Sequence, residues 1–504
     1  MKKSRKLMSI LLVVAMLFTL AAPAFAANTS HTITITNETS GHTYTAYQVF
    51  SGDIEILDGK EVLTNIAWGN GVNGQALLEA LTNASESAYV DCETAEDVAN
   101  VLKEFGDDSA ELDAFAKIVG NHLAIPAGQS TESGGNKAYS YTINVTGDGY
   151  YFIKDTGNIA ATDAATKYIL EVVKNVNVEA KDGVPTIDKV IVNADSNNGG
   201  EGKGTAQDVG SVVNFKLTST VPAMDGYESY TYVVHDTMSN GLTFNNDVVV
   251  KINGTALTKD EDFVVEKNGQ SFTITFNNFI SQKANKGKDI VITYSATIND
   301  KALATNVETN TVYLQFSNNP NSNTTGNTPE HKVYVYDFDI VIDKYTGEAT
   351  NGERLSDAEF VLYKLNGETK EYYSWDETAK KVVWTNEDDA TKVKTDTNGK
   401  ASFIGLDSGT YYLKETKAPD GYNLLKNPVE VKITASYNDD GTISSSSATS
   451  VSNGQYQQTQ GVENNTGAEL PSTGGIGTTI FYVVGGALVL GAAVLLVTRR
   501  RMAE

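Results

Sequence analysis

The last 35 residues, Leu470 to Glu504, constrain this chain more than any other stretch. Leu470-Pro471-Ser472-Thr473-Gly474 is followed by an apolar run over 478–498 and then by Arg499-Arg500-Arg501. An uncharged run of about twenty residues is long enough for one helical crossing of a bilayer core, at about 1.5 Å per residue. The arginines behind it enter hydrocarbon only at high cost and mark the cytoplasmic side. A basic tail, 499–504, is therefore expected inside the cell and nearly all of the chain outside it. The pentapeptide stands just outside the membrane, within reach of an extracellular enzyme.

The other end agrees. Lys2, Lys3, Arg5 and Lys6 precede an apolar run from Leu7 to Leu20, and Ala24-Phe25-Ala26 has the small-x-small form of a signal-peptide cleavage site. The competing reading, a first membrane helix, is disfavoured by the short run and by Pro23 at its end. Residues 1–26 are expected to be removed, leaving Ala27 first. Between the two ends 32 basic residues face 62 acidic ones, a net charge of −30. Such a surface repels nucleic acid and anionic lipid. Cys92 is the only cysteine, so no internal disulfide is available. An exported chain of this kind needs another means of resisting unfolding.

The exported part is long enough for three domains. From 27 to 184, strands with period-two alternation are expected at 31–36, 44–50, 139–145, 149–154 and 168–178. A helical insertion interrupts them. Thr94-Ala95-Glu96-Asp97 reads as a capping box ahead of Val98, Val101, Leu102 and Phe105 at helical spacing, and a further helix carries Leu112, Phe115, Val119 and Leu123. Gly183-Val184-Pro185 breaks the pattern. A second β domain is expected over 185–330 and a third over 331–467, with Ser436–Gln460 as a loose loop. Many short strands at this spacing suit β-sandwiches. The expected fold is all-β, with tandem sandwiches forming an elongated rod.

Some alternating strands place polar groups on apolar faces. Lys189 shares a face with Ile187 and Ile191, Asp236 with Tyr232 and Val234, and Asn318 with Val312, Leu314 and Phe316. Lys344 follows Ile340 and Ile342, and Glu415 is in register with Tyr411 and Leu413. Val462 and Asn464 lie on a last short strand. Buried singly, such groups are costly. If they meet, a desolvated amine loses its proton and becomes a nucleophile, and a desolvated carboxyl holds a proton and can donate it. The amine then attacks the amide carbonyl, ammonia leaves, and a Lys–Asn isopeptide bond removes the buried charge. An ordinary solvated lysine is the alternative at each position, and alternation alone does not choose.

Three motifs carry a family resemblance. The C-terminal order resembles the sorting signal of Gram-positive surface proteins. Tyr411-Tyr412-Leu413-Lys414-Glu415-Thr416-Lys417-Ala418-Pro419-Asp420-Gly421-Tyr422 resembles the E-box of sortase-assembled pilins. The run from His235 to Phe244, together with Tyr313 to Pro320, is similar to the middle domain of the same proteins. The resemblance implies a major, shaft-forming pilin with Ig-like domains of the collagen-adhesin B type. It implies cross-links Lys189–Asn318, promoted by Asp236, and Lys344–Asn464, promoted by Glu415. Asn427, Asn453 and Asn465 lie near Asn464, which the spacing to Gly467 favours. The first domain has no lysine on its opening strand and is expected to have no cross-link.

In that family a sortase cysteine attacks the bond here between Thr473 and Gly474 and passes the Thr473 carboxyl to an amine. An acceptor lysine ends the first domain in the form V-x-V-Y-P-K. Val176-Asn177-Val178-Glu179-Ala180-Lys181 keeps the valines and the lysine but replaces Tyr-Pro, and Lys174 is an alternative. The implied partners are a pilin sortase, a housekeeping sortase, further copies of the chain, peptidoglycan and minor tip or base pilins. The membrane is a partner only before sorting, and the expected location is the cell wall. A monomeric wall-anchored adhesin would share the signal and the sandwiches without an acceptor lysine. For an exported hydrolase, the five histidines form no H-E-x-x-H motif, and no G-x-S-x-G or Cys–His arrangement is present. No cofactor or metal is expected: Asp388-Asp389 and Asp439-Asp440 read as solvated turns rather than a calcium loop.

Overall fold

A computed structural model describes residues 30–57, 60–84, 87–106, 109–136, 138–165, 169–173, 175–180, 183–192, 200–320, 322–452, 455–467 and 476–501. The signal peptide 1–26, the pentapeptide 470–474, Lys174, Lys181 and Asn453 lie outside these described residues.

Two sheets form the first region. In one, Ser30–Asn37 lies between Ala138–Thr146, antiparallel, and Asn175–Glu179, parallel. In the other, Tyr44–Leu57 pairs with Lys60–Trp68 and with Gly149–Asp155, and the latter with Ile169–Val173. The period of two brings Ile33, Ile35, Tyr141, Ile143 and Tyr151 into a core between the sheets. Helices cover the outer face of the second sheet, around Val49, Phe50 and Phe152. The capping box is present: the Thr94 hydroxyl accepts from the Asp97 amide and the Asp97 carboxylate from the Thr94 amide, opening Ala95–Leu102. Ala110–Gly120 buries Phe115 and Val119. A third helix, Gly74–Thr82, escapes the sequence reading. It is only nine residues long, with Leu77 and Leu81 as its buried face. Gly74 fits where it stands because a Cβ there would come within 2.4 Å of the Trp68 ring.

The middle region is a sandwich. Ile187–Val192, Val212–Thr220, Asp289–Ile298 and Val249–Ile252 run side by side in one sheet. Facing it, His331–Tyr336, Glu308–Ser317, Tyr232–Met238, Ser271–Phe276 and Phe263–Asn268 follow one another in the second. The break expected at residue 330 therefore falls inside a hydrogen-bonded sheet, since His331–Tyr336 pairs antiparallel with Glu308–Ser317. Its Val333 and Val335 pack into the middle core, and Asp337 alone separates it from the next strand, Phe338–Thr346.

That strand starts the last region. It pairs with Lys400–Leu406 and, in parallel, with Gln455–Glu463, Lys344 lying opposite Val462. The facing sheet orders Lys381–Thr385, Thr369–Asp376, Glu359–Asn366, Gly409–Lys417 and Val429–Ile433. The stretch expected as a loose loop, Ser436–Gln460, instead contains Ile443–Ser446, Ser450–Ser452 and most of Gln455–Glu463. Pairing with an apolar neighbour supplies what its own polar composition lacks.

The regions touch. Ala164 packs in the middle core, and the amides of Asn327 and Ala165 donate to the carbonyls of Ala161 and Asn318. Further on, Val209 donates to Gly405 O, and Gln455 Nε2 donates to Ala302 O at 2.6 Å and to Thr305 O at 2.5 Å. Ile476–Arg501 is one helix, and its segment Ile480–Arg499 is long and apolar enough to cross a membrane, with mean hydropathy 2.6.

Candidate functional site

Lys189 is fully enclosed in the middle sandwich. It sits at the third position of Ile187–Val192, whose alternation turns Ile187, Lys189 and Ile191 inward. Its Nζ donates to Asp236 Oδ2 at 2.7 Å and to Asn310 Oδ1 at 2.5 Å. Asp236 and Asn310 lie on the facing sheet, on adjacent antiparallel strands where Asp236 stands opposite Val312. The rings of Phe215 and Tyr294 lie 5.8 and 5.7 Å from the ammonium. Tyr294 Oη donates to Asp236 Oδ2 at 2.5 Å and accepts from Asn310 Nδ2 at 3.0 Å.

Asn318 is not in this site. It faces inward like Val312, Leu314 and Phe316, but the register sets it eight residues beyond Asn310, more than about 20 Å along the strand direction. Its Oδ1 accepts from Thr324 Oγ1 at 2.8 Å, and its carbonyl holds the Ala165 amide of the first region. The amide beside Lys189 is Asn310, which the sequence reading passed over. Its parity equals that of Asn318, and the signal that separates them is its position one inward step from the cross-strand partner of Asp236.

The second cluster joins the residues expected. Lys344, on Phe338–Thr346, donates to Asn464 Oδ1 and to Val462 O, the latter at 3.1 Å. Glu415 reaches in from the facing sheet: its Oε1 is 3.7 Å from the Lys344 ammonium, and its Oε2 accepts from Asn464 Nδ2 at 3.1 Å. Asn464 Nδ2 also donates to Asn423 O, and Leu425 N to Glu415 Oε2, so the segment after the E-box lids the cluster. Asn427 and Asn465 are exposed.

The two buried lysines are alike in their electrostatics. Burial lowers both lysines to about 8, against the pull of Asp236 and of Glu415. Burial also raises Asp236 above the usual carboxylate range, against the pull of Lys189. Asp236 Oδ1 has no hydrogen-bond donor, which penalises the charged acid further. Each set can exchange a proton, attack a carbonyl and expel an amine.

The first region treats its buried charge differently. His42 Nδ1 is 2.6 Å from Asp155 Oδ2, and Nε2 is 3.1 Å from Asp163 Oδ2. The imidazole stacks on Tyr44 and meets the edge of Tyr141. Burial works to lower its pKa, but the hydrogen bonds and charges of Asp155 and Asp163 together outweigh it and raise the group to about 10. Among the described residues no group of three or more His, Cys, Asp or Glu is placed to hold a metal ion.

Comparison with known proteins follows the same divisions. Residues 209–320 match the family described as Gram-positive pilin backbone subunit 2, Cna-B-like domain. Residues 339–449 match a prealbumin-like fold domain, and 462–504 the LPXTG cell wall anchor motif. The chain is 25% identical to the trypsin-resistant surface T6 protein of Streptococcus pyogenes serotype M6, over 88% of this chain and 94% of that one. It is 28% identical to the fimbrial subunit type 2 of Actinomyces naeslundii, over 43% of this chain and 46% of that one. The solved structure of the T6 backbone pilin, described as modular and three-domain, superposes with a TM-score of 0.52 at 22% identity, covering 81% of each chain, and shows the shared fold.

Proposed function

We propose a route of assembly and hardening for this chain, which is a major pilin held at the Gram-positive cell surface by its LPXTG cell-wall anchor. A pilin-backbone domain and a sorting anchor in one chain imply processing by sortase and polymerisation into a pilus. In our reading a pilin sortase cleaves between Thr473 and Gly474 and joins the Thr473 carbonyl to the Lys181 amine of the next copy. Donor and acceptor lie near opposite ends of the chain, so the contact need not close and a fibre grows. A housekeeping sortase then ties the last copy to peptidoglycan, and minor pilins occupy the tip or base. The apolar helix holds the chain until cleavage.

Within each subunit, Lys189 is joined to Asn310 and Lys344 to Asn464, with Asp236 and Glu415 as proton carriers. The observation that carries this is the double convergence of a buried lysine, a buried acid and a buried amide. Each lysine hands a proton to its acid, and the neutral amine attacks the Asn carbonyl carbon. The tetrahedral adduct loses ammonia as the acid returns its proton to the leaving nitrogen. Loops of 121 and 120 residues are closed, for which a chain-entropy argument gives about 5 kcal/mol each.

Intact mass of the purified chain tests the inner bonds. Two losses of ammonia, about 17 Da each, are expected, and an unshifted mass rejects them. For the bonds between subunits, Lys181→Arg is expected to abolish the high-molecular-weight ladder on denaturing gels while Lys174→Arg keeps it. Long polymers from Lys181→Arg would exclude Lys181 as the acceptor.

A further inference from the structure

The two clusters differ in how the acid reaches the nitrogen that must leave. Glu415 accepts a hydrogen bond directly from Asn464 Nδ2. Asp236 is one methylene shorter and makes no hydrogen bond to Asn310. The gap is filled by Tyr294, whose oxygen accepts from Asn310 Nδ2 at 3.0 Å and donates to Asp236 Oδ2 at 2.5 Å. We propose that Tyr294 is a catalytic residue of the middle-domain cross-link, relaying the Asp236 proton to the departing nitrogen of Asn310. This rests on the Lys189–Asn310 reading above.

The step balances as follows. Lys189 gives one proton to Asp236, and its amine bonds to Asn310 Cγ. Attack turns Nδ2 from an amide donor into a tetrahedral amine with a lone pair, so both hydrogen bonds reverse: the phenol passes its proton to Nδ2 and takes the one on Asp236. The Cγ–Nδ2 bond breaks and ammonia leaves. The second amine proton then moves to Asp236, which ends as the neutral acid, so no charge is left in the core. Tyr294 suits the role because it is wholly enclosed, on Asp289–Ile298, with its ring stacked on Phe215 and edge-on to Phe244 and Phe272. Burial and the Asp236 charge hold its phenol well above its ordinary pKa, so it stays a proton donor. The ring cannot swing away, and water has no place between the three groups.

Synthesis of the full chain in a cell-free system, sampled over time and digested, reports both linked peptides from the same molecules. In Tyr294→Phe, formation of the Lys189–Asn310 peptide is expected to slow about a hundredfold, the low end for losing a positioned acid–base group. The Lys344–Asn464 peptide should form at the wild-type rate and serves as the internal clock. Adding Asp236→Glu to Tyr294→Phe should recover much of the rate, since the longer acid reaches the amide as Glu415 does. A purely packing role for the ring would not be relieved by a longer carboxylate. A wild-type rate in Tyr294→Phe, or a slow rate that Asp236→Glu leaves unchanged, overturns the relay. Absence of the Lys189–Asn310 peptide from the wild-type chain would instead overturn the cross-link reading itself.

Discussion

The middle and last sandwiches bring together the same three functional groups from differently arranged strands. In the middle one, acid and amide are neighbours on one sheet and the lysine comes across the core from the other. In the last, lysine and amide are neighbours on parallel strands of one sheet and the acid comes across. The chemistry therefore demands contact among amine, carboxyl and amide in a dry place, and is indifferent to which sheet supplies each. What the bond would secure differs. Lys189–Asn310 would tie one sheet to its partner, whereas Lys344–Asn464 would tie two neighbouring strands within one sheet. The middle bond would resist separation of layers; the last would resist the parting of paired strands.

The largest effect expected from disturbing this contrast is that of Asp236→Asn. Without the acid the bond should not form, which forgoes about 5 kcal/mol of loop closure. Lys189 is also left as an enclosed charge with only amide oxygens as acceptors and no counter-charge, at a further cost of about 3–5 kcal/mol. Denaturant unfolding followed in the middle region should show both, together with a mass about 16 Da above wild type, the retained ammonia less about 1 Da for the substitution. Glu415→Gln should raise the mass equally but destabilise less, because Lys344 keeps Val462 O and Asn464 Oδ1 as acceptors. Equal losses of stability in the two variants would erase the distinction.

The first region sharpens the comparison from outside, since its buried charge is kept and paired. The His42 pKa is raised from 6.5 to about 10, so its stabilising contribution is fully present below about pH 6.5 and is lost as pH rises through 10. Protection of Ile33 and Ile143 amides from hydrogen exchange should weaken over that window while the middle and last sandwiches hold. His42→Gln should remove the pH dependence at a cost of about 3 kcal/mol. A first region insensitive to alkali would show that the charge is not what holds it. The smallest effect is reserved for Asn318→Ala, which loses a hydrogen bond with Thr324 worth about 1 kcal/mol and retains both ammonia losses. Asn310→Ala, by contrast, should retain only one.

Lys189, Asp236, Lys344 and Glu415 were legible because period-two alternation makes a charge on an apolar face visible without any knowledge of partners. Asn464 was legible too, from its spacing to Gly467. The choice of Asn310 over Asn318 was not. The two share parity, and only the register between Tyr232–Met238 and Glu308–Ser317 separates them, which alternation does not encode. Tyr294 was hidden for a related reason: with Ile290, Ile292 and Ala296 on its face it reads as one more core aromatic. His331–Tyr336 looked like the start of a new domain because its pattern restarts after a polar loop, yet its hydrogen bonds run backwards in the chain. Gln455–Glu463 is a strand by virtue of its neighbour, not its own side chains.

Between Tyr336 and Phe338 there is one residue of slack. Any swing of the last sandwich against the middle one must be absorbed by the torsions of Asp337, and it pulls on the bonds from Gln455 to Ala302 and Thr305. Two bodies joined so closely behave as a single stiff lever. A tug along a fibre built from them would load both at once, with no spacer at that joint to unreel first.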